Sequence, residues 1–249
     1  MNEKILHWGI MGTARINRAL IPPLNVSHRN RLLAVASREL ERARHYAREK
    51  GIERAHGSYE ALLADPEIDV VYISLPNCLH AEWTIKAAAA GKHVLCEKPI
   101  ALSTQDVTAI ADAATKHGVV IAEAFMYRHH PQTLKVCELI ESGVIGEMRL
   151  IRGGFSYPLS RAGDVRLKPE LGGGSIWDVG CYPISFARTA LGGAAPSEVF
   201  GWQIMGPTGV DVSFFGQMRY TNGVCVQIDS SFQSALRMVM EFVGSEGCI

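Results

Sequence analysis

The chain has 249 residues, 47% of them hydrophobic and 20% charged, enough apolar material to bury the cores of two modest domains or one large one. Its 25 Lys and Arg balance 25 Asp and Glu, so no net field exists to draw in a polyanion, and nucleic acid and anionic membrane are excluded as expected partners.

The chain opens on MNEKILHWGIMG, which lacks the charged-then-apolar pattern of a secretory leader, and no later apolar run reaches membrane-spanning length. Residues 5–11 form a short apolar run ending at Gly12, followed by a helix-like stretch from Ala14. Residues 31–37 (RLLAVAS) predict a second buried strand, and a charged helix follows with Leu40, Ala43 and Ala47 on one face and Gly51 as its stop. Ser58 is placed to cap a short helix, and residues 69–75 (DVVYISL) predict another buried strand. A helix over 79–90 ends at Gly91, before a brief strand over 93–96. Ser103 and Asp106 have capping-box spacing ahead of a stripe of Val107, Ile110, Ala111 and Ala114; Gly118 stops that helix before a strand over 119–124. Nearly continuous apolar strands alternating with helices predict a doubly wound parallel sheet covered on both faces, over roughly residues 1–128.

After Pro131 the pattern changes. One helix is predicted over 133–140 and another over 176–191. Strands are predicted over 148–157, 198–205, 210–220, 224–232 and 237–243, with Asn222-Gly223 suited to a tight hairpin. The expected fold is therefore α/β: a Rossmann domain followed, over 129–249, by an α+β domain with an open, mostly antiparallel sheet. Residues 244–249 look like a turn and the first steps of a further strand, so the sheet is expected to lack its C-terminal strands.

Ligands of open parallel sheets bind beyond the carboxyl ends of the strands, with a dinucleotide pyrophosphate at the first strand–helix turn. That turn is Gly12-Thr13-Ala14-Arg15-Ile16-Asn17. Against G-x-G-x-x-G/A only Gly12 matches, so by itself it also fits a plain strand–helix turn. At the end of the second strand a cofactor with a free ribose 2′-hydroxyl calls for a carboxylate. This chain has Ser37-Arg38 and then Arg42, a hydroxyl and guanidinium groups suited to a 2′-phosphate, which favours NADP over NAD. The six cysteines (Cys78, Cys96, Cys137, Cys181, Cys225 and Cys248) form no Cys-x-x-Cys pair and no cluster with histidine at metal-ligand spacing. No metal is expected, His129-His130 read as a helix start, and a reducing, cytoplasmic compartment is expected.

Cys96-Glu97-Lys98-Pro99, Glu123-Ala124-Phe125-Met126-Tyr127-Arg128 and Gly172-Gly173-Gly174-Ser175-Ile176-Trp177-Asp178-Val179-Gly180-Cys181-Tyr182-Pro183, together with GIMGTARI near the start, resemble the glucose–fructose oxidoreductase / inositol dehydrogenase (Gfo/Idh/MocA) family. Within it the resemblance is nearest to the NADP-dependent dihydrodiol and D-xylose dehydrogenase branch. The resemblance runs from residue 4 to the last residue. It implies that Lys98 lies beside the nicotinamide and the reacting carbon, where an ammonium polarises a substrate oxygen or depresses a neighbouring phenol's pKa. Tyr182, four residues after Asp178 on a helix, then carries the hydroxyl proton, and Asp178 orients substrate hydroxyls or holds Lys98. Leu75, Pro76, Asn77 and His80 are expected against the nicotinamide ribose, with Glu97 and Arg128 nearby. Asn77 and His80 also fit a role as caps of the next helix. The implied activity moves a hydride between NADP and a sugar-like alcohol or diol, and the implied assembly is a homodimer or larger through the open sheet. Nicotinamide-dependent glycoside cleavage and a non-catalytic NADP-binding regulator remain as alternatives; erosion of Lys98 or Tyr182 would mark the latter, and neither is eroded.

Overall fold

The computed structural model describes residues 4–161 and 163–249; Met1–Glu3, on which part of the N-terminal reading rests, lie outside the described residues. The chain divides into two compact units, Met1–Ala124 and Phe125–Ile249.

The first unit alternates β1 (Leu6–Met11), α1 (Asn17–Val26), β2 (Asn30–Ala36), α2 (Leu40–Lys50), β3 (Arg54–His56), α3 (Tyr59–Leu63), β4 (Val70–Ile73), α4 (His80–Ala89), β5 (His93–Cys96), α5 (Thr104–His117) and β6 (Ile121–Glu123). All its strand pairs are parallel and the sheet order is β3-β2-β1-β4-β5-β6, the arrangement of a dinucleotide-binding sheet. Both faces are covered: Met11, Leu33, Val71 and Ile73 join one apolar cluster, while Ile10, Val35 and Tyr72 join another. The local stops act as the sequence implies. Gly51 and Gly118 take left-handed conformations after α2 and α5, Ser58 accepts from the Ala61 amide, and Ser103 accepts from the Asp106 amide.

Three expectations change. α1 begins at Asn17 rather than Ala14, because residues 12–16 form the turn itself. On α5 the buried residues are Ile110 and Ala113; Val107 of the expected stripe is 47% exposed. β3 is a strand that the apolar pattern does not announce, being three half-buried residues paired along β2.

The second unit comprises α6 (Pro131–Glu141), β7 (Met148–Ser156), α7 (Cys181–Ala190), β8 (Glu198–Met205), β9 (Asp211–Arg219), β10 (Cys225–Ser231) and β11 (Arg237–Gly244). Its sheet, β11-β7-β10-β9-β8, is antiparallel except where β10 runs parallel to β7. Ile151, Val226, Ile228 and Phe242 on one face pack with Val136 and Ile140 of α6 and Ile184 and Phe186 of α7. The alternation of strand residues sends Trp202, Phe215, Gln217, Gln227 and Val239 to the opposite face. Phe200 and Trp202 there are 66% and 54% exposed. After β11 the chain turns back, and Val243 pairs with Cys248 in a single antiparallel bridge.

Candidate active site

At the carboxyl end of β1, Gly12 has φ of 101°, and a Cβ there would lie 3.1 Å from Leu75 Cδ2 and 3.4 Å from the Ser74 carbonyl oxygen. Only glycine fits this close turn without strain. Asn17, fully buried, donates its Nδ2 to the Gly12 carbonyl at 3.0 Å, so it braces the turn from below where the fingerprint has a small residue. Its Oδ1 is buried with no partner among the described residues. Thr13 and Ala14 are half-buried, and Arg15 and Ile16 are exposed on the rim. The first amides of α1, those of Asn17, Arg18 and Ala19, donate to the Ala14, Arg15 and Ile16 carbonyls, which winds the turn into the helix. A close glycine turn between the first strand and the first helix of a parallel sheet fits a dinucleotide pyrophosphate.

Ser37, at the end of β2, is buried and its amide donates to the His56 carbonyl, while Arg38 projects into solvent. Arg42, on the first turn of α2, donates its Nε to Thr13 Oγ1 at 2.8 Å, bringing a second guanidinium to the edge of the Gly12 turn. The end of β2 and the first turn of α2 therefore carry two guanidinium groups, Arg38 and Arg42, beside Glu39 and Glu41.

Leu75 and Pro76 follow β4, and Asn77 opens a one-turn 3₁₀ helix over Asn77–Leu79. His80, expected against the nicotinamide ribose, is buried between two backbone carbonyls. It is 1% exposed, with Nδ1 2.7 Å from the Pro99 carbonyl oxygen and Nε2 2.8 Å from the Leu75 carbonyl oxygen. Burial pulls its pKa below the ordinary imidazole value, against the upward pull of the two carbonyls. At the end of β5, Glu97 accepts a 2.6 Å hydrogen bond from Tyr72 Oη, which occupies one carboxylate oxygen within the sheet. Lys98 comes next, half-buried, and the Ile100 amide donates to Glu123 Oε1 at 2.8 Å.

In the second unit Gly172-Gly173-Gly174 packs directly on backbone: the Gly174 amide donates to the Arg166 carbonyl at 2.9 Å, and a Cβ at Gly173 would meet that carbonyl at 2.5 Å. Asp211 then caps the helix start, accepting from Ser175 Oγ at 2.6 Å and the Ile176 amide at 2.9 Å. Ile176–Gly180 is one turn of π-helix before α7, a local widening found frequently at functional sites. Asp178 lies in that turn and Tyr182 in the first turn of α7.

The described partners of Asp178 are Tyr157 Oη at 2.6 Å and Arg166 Nε at 2.9 Å, both on Oδ2. Arg166 also contacts Asp164 Oδ1 at 3.1 Å. Burial, then the Asp178 charge, hold the Tyr157 phenol far above its ordinary pKa, so it remains a proton donor to Asp178. Tyr157 and Arg166 escape a reading of the sequence, since nothing local marks them as partners of Asp178. Tyr182 is half-buried in an aromatic cup, edge-on to Phe125 at 5.5 Å and Tyr127 at 6.0 Å, with Phe155 tilted at 5.5 Å. Phe125 and Tyr127 fall in the second compact unit. Arg128, exposed on a 3₁₀ turn, belongs to that second unit. His130 Nδ1 accepts from the Gln132 amide and caps α6.

Residues 6–125 match the family model described as "Oxidoreductase family, NAD-binding Rossmann fold", and residues 133–249 match the GFO/IDH/MocA C-terminal domain. The chain is 44% identical over 230 residues to D-xylose 1-dehydrogenase (NADP(+)) 2 of Haloferax volcanii, covering 91% of this chain and 70% of that enzyme. It is 33% identical over 246 residues to trans-1,2-dihydrobenzene-1,2-diol dehydrogenase of Xenopus laevis, covering 97% and 74%. Among solved structures, a 3-ketoreductase from Actinomadura kijaniata in complex with NADP and TDP-benzene superposes with a TM-score of 0.91 at 33% identity, over 97% of this chain and 74% of that one. With a nucleotide-binding sheet, a glycine turn and both family models matched in order, the chain belongs to the GFO/IDH/MocA oxidoreductase family.

Proposed function

We propose that the protein is an NADP-dependent dehydrogenase or reductase that acts on CH–OH groups of sugar-like alcohols or diols. The observation that carries this reading is the convergence, at the carboxyl ends of neighbouring strands β2, β1, β4 and β5, of Ser37-Arg38, the Gly12 turn, Leu75-Pro76-Asn77 and Glu97-Lys98. The NADP-dependent activity named for the Haloferax relative and the NADP-bound ketoreductase structure support it. Residues 1–128 form the cofactor domain and residues 129–249 the substrate and oligomerisation domain.

Gly12 to Ile16 take the pyrophosphate, and Arg38, with Ser37 and Arg42 beside it, takes the 2′-phosphate. Leu75, Pro76, Asn77 and Glu97 line the nicotinamide ribose, with Arg128 at the margin of the pocket. The nicotinamide, when bound, supplies the hydride acceptor or donor. Tyr182 moves the hydroxyl proton at its Oη, and Lys98 polarises the substrate oxygen. Tyr157 is the poorer proton carrier, because its hydrogen is committed to Asp178. Asp178, with Tyr157 and Arg166, orients the substrate hydroxyls. Two copies pair through the open sheet face, where Phe200, Trp202, Phe215 and Val239 are gathered. The free cysteines support a reducing, cytoplasmic setting.

A screen of NADP reduction over aldoses, inositols and trans-diols tests the reading; no turnover of any polyol or of the corresponding carbonyls with NADPH rejects it. Arg38→Ala raises KM for NADP by about 10- to 100-fold, the equivalent of losing one charge-assisted contact, and leaves KM for NAD nearly unchanged. Equal changes in both constants exclude the phosphate role.

A further inference from the structure

Lys98 stands two residues beyond Cys96, the last residue of β5, and carries its ammonium on a flexible four-carbon stem. Where that ammonium sits depends on what holds the backbone around it. The Glu97 amide donates to the Ile73 carbonyl at 2.9 Å, which fixes the segment just before the lysine. Beyond it, the Pro99 carbonyl meets His80 Nδ1 at 2.7 Å and the Ile100 amide meets Glu123 Oε1 at 2.8 Å. His80 Nε2 lies 2.8 Å from the Leu75 carbonyl oxygen, so one buried ring sits between the loop after β4 and the loop after β5. Burial favours the neutral ring, whose single N–H donates to one carbonyl in a given tautomer; with the proton on Nδ1 that bond holds Pro99.

We propose that His80 and Glu123 are positioning residues which clamp the Pro99-Ile100 backbone and thereby set the place of the Lys98 ammonium. This inference rests on the assignment of Lys98 in the proposed function. His80 is sealed from solvent and acts through Lys98 rather than on substrate. Glu123 acts by reach, since its oxygen accepts from an amide two residues past the lysine.

The test separates reach from charge. Glu123→Asp keeps the charge and withdraws the acceptor by one methylene; Glu123→Gln keeps the reach and loses the charge. In the full chain, Glu123→Asp lowers kcat about 10- to 100-fold, the scale of a misplaced catalytic group, with KM for NADP and for the polyol unchanged within about threefold. It also speeds hydrogen exchange of the Ile100 amide by about tenfold or more. Glu123→Gln retains kcat within about threefold and slow exchange at Ile100. His80→Leu, where it folds, repeats the Asp pattern. Parental kcat in Glu123→Asp, failure of Gln to restore it, or a loss confined to KM overturns the clamp. Lys98→Met measured in parallel tells the two failures apart. Full activity in that variant removes the site assignment itself, whereas an inactive Lys98→Met beside a fully active Glu123→Asp removes only the clamp.

Discussion

Replacing Tyr182 with phenylalanine lowers kcat by about 10²–10⁴-fold, the usual contribution of a positioned proton carrier, while KM for NADP stays near its parental value. Phenylalanine keeps the ring and therefore the contacts with Phe125, Tyr127 and Phe155, so the variant folds and only the hydroxyl is lost. Lys98→Met keeps the stem, removes the charge, and produces a comparable loss at neutral pH. Initial rates of NADP reduction at neutral pH, with saturating polyol, read both losses. Full activity in both variants ends the assignment of these two side chains.

Gly174→Ala destabilises the second unit by about 2–6 kcal/mol. Its φ of 124° is a conformation that residues with a Cβ rarely adopt, which costs about 1–3 kcal/mol. A Cβ there would also overlap Asp211 Oδ1, the carboxylate that caps the helix start through Ser175 and Ile176. Relieving the overlap disturbs those buried hydrogen bonds, adding about 1–3 kcal/mol. Thermal unfolding reports the change as a fall in Tm of roughly 5–15 °C. Gly192→Ala is the control. Gly192 also has a left-handed φ, 64°, but an added Cβ meets nothing within 4 Å, so it costs only about 1 kcal/mol. Because the π-turn carrying Asp178 starts beside Gly174, kcat falls in Gly174→Ala more than stability alone explains when assayed well below its Tm. Equal stability losses in the two variants contradict the packing argument.

Much of the first unit is legible from residue patterns. Buried parallel strands must be apolar on both faces, so residues 31–37, 69–75 and 93–96 read as strands without reference to the rest of the molecule. Caps are equally local: Ser58, Ser103, Gly51 and Gly118 act on amides and carbonyls within one turn. β3 has no apolar run because it is an edge strand, and only its register with β2 defines it.

The candidate site divides along the same line. Local sequence, with the family resemblance, points to the Gly12 turn, to the basic residues Arg38 and Arg42, and to Lys98 and Tyr182 as the groups proposed to carry the chemistry. Tertiary structure alone decided that Asp178 is engaged by Tyr157 and Arg166, which stand 21 and 12 residues away along the chain. It also decided that His80 is buried, with the Pro99 and Leu75 carbonyls at its two ring nitrogens. An Asn-x-x-His spacing shows what a side chain is able to donate or accept; burial and partners depend on which distant backbone folds over it, and no window of neighbouring residues contains that information.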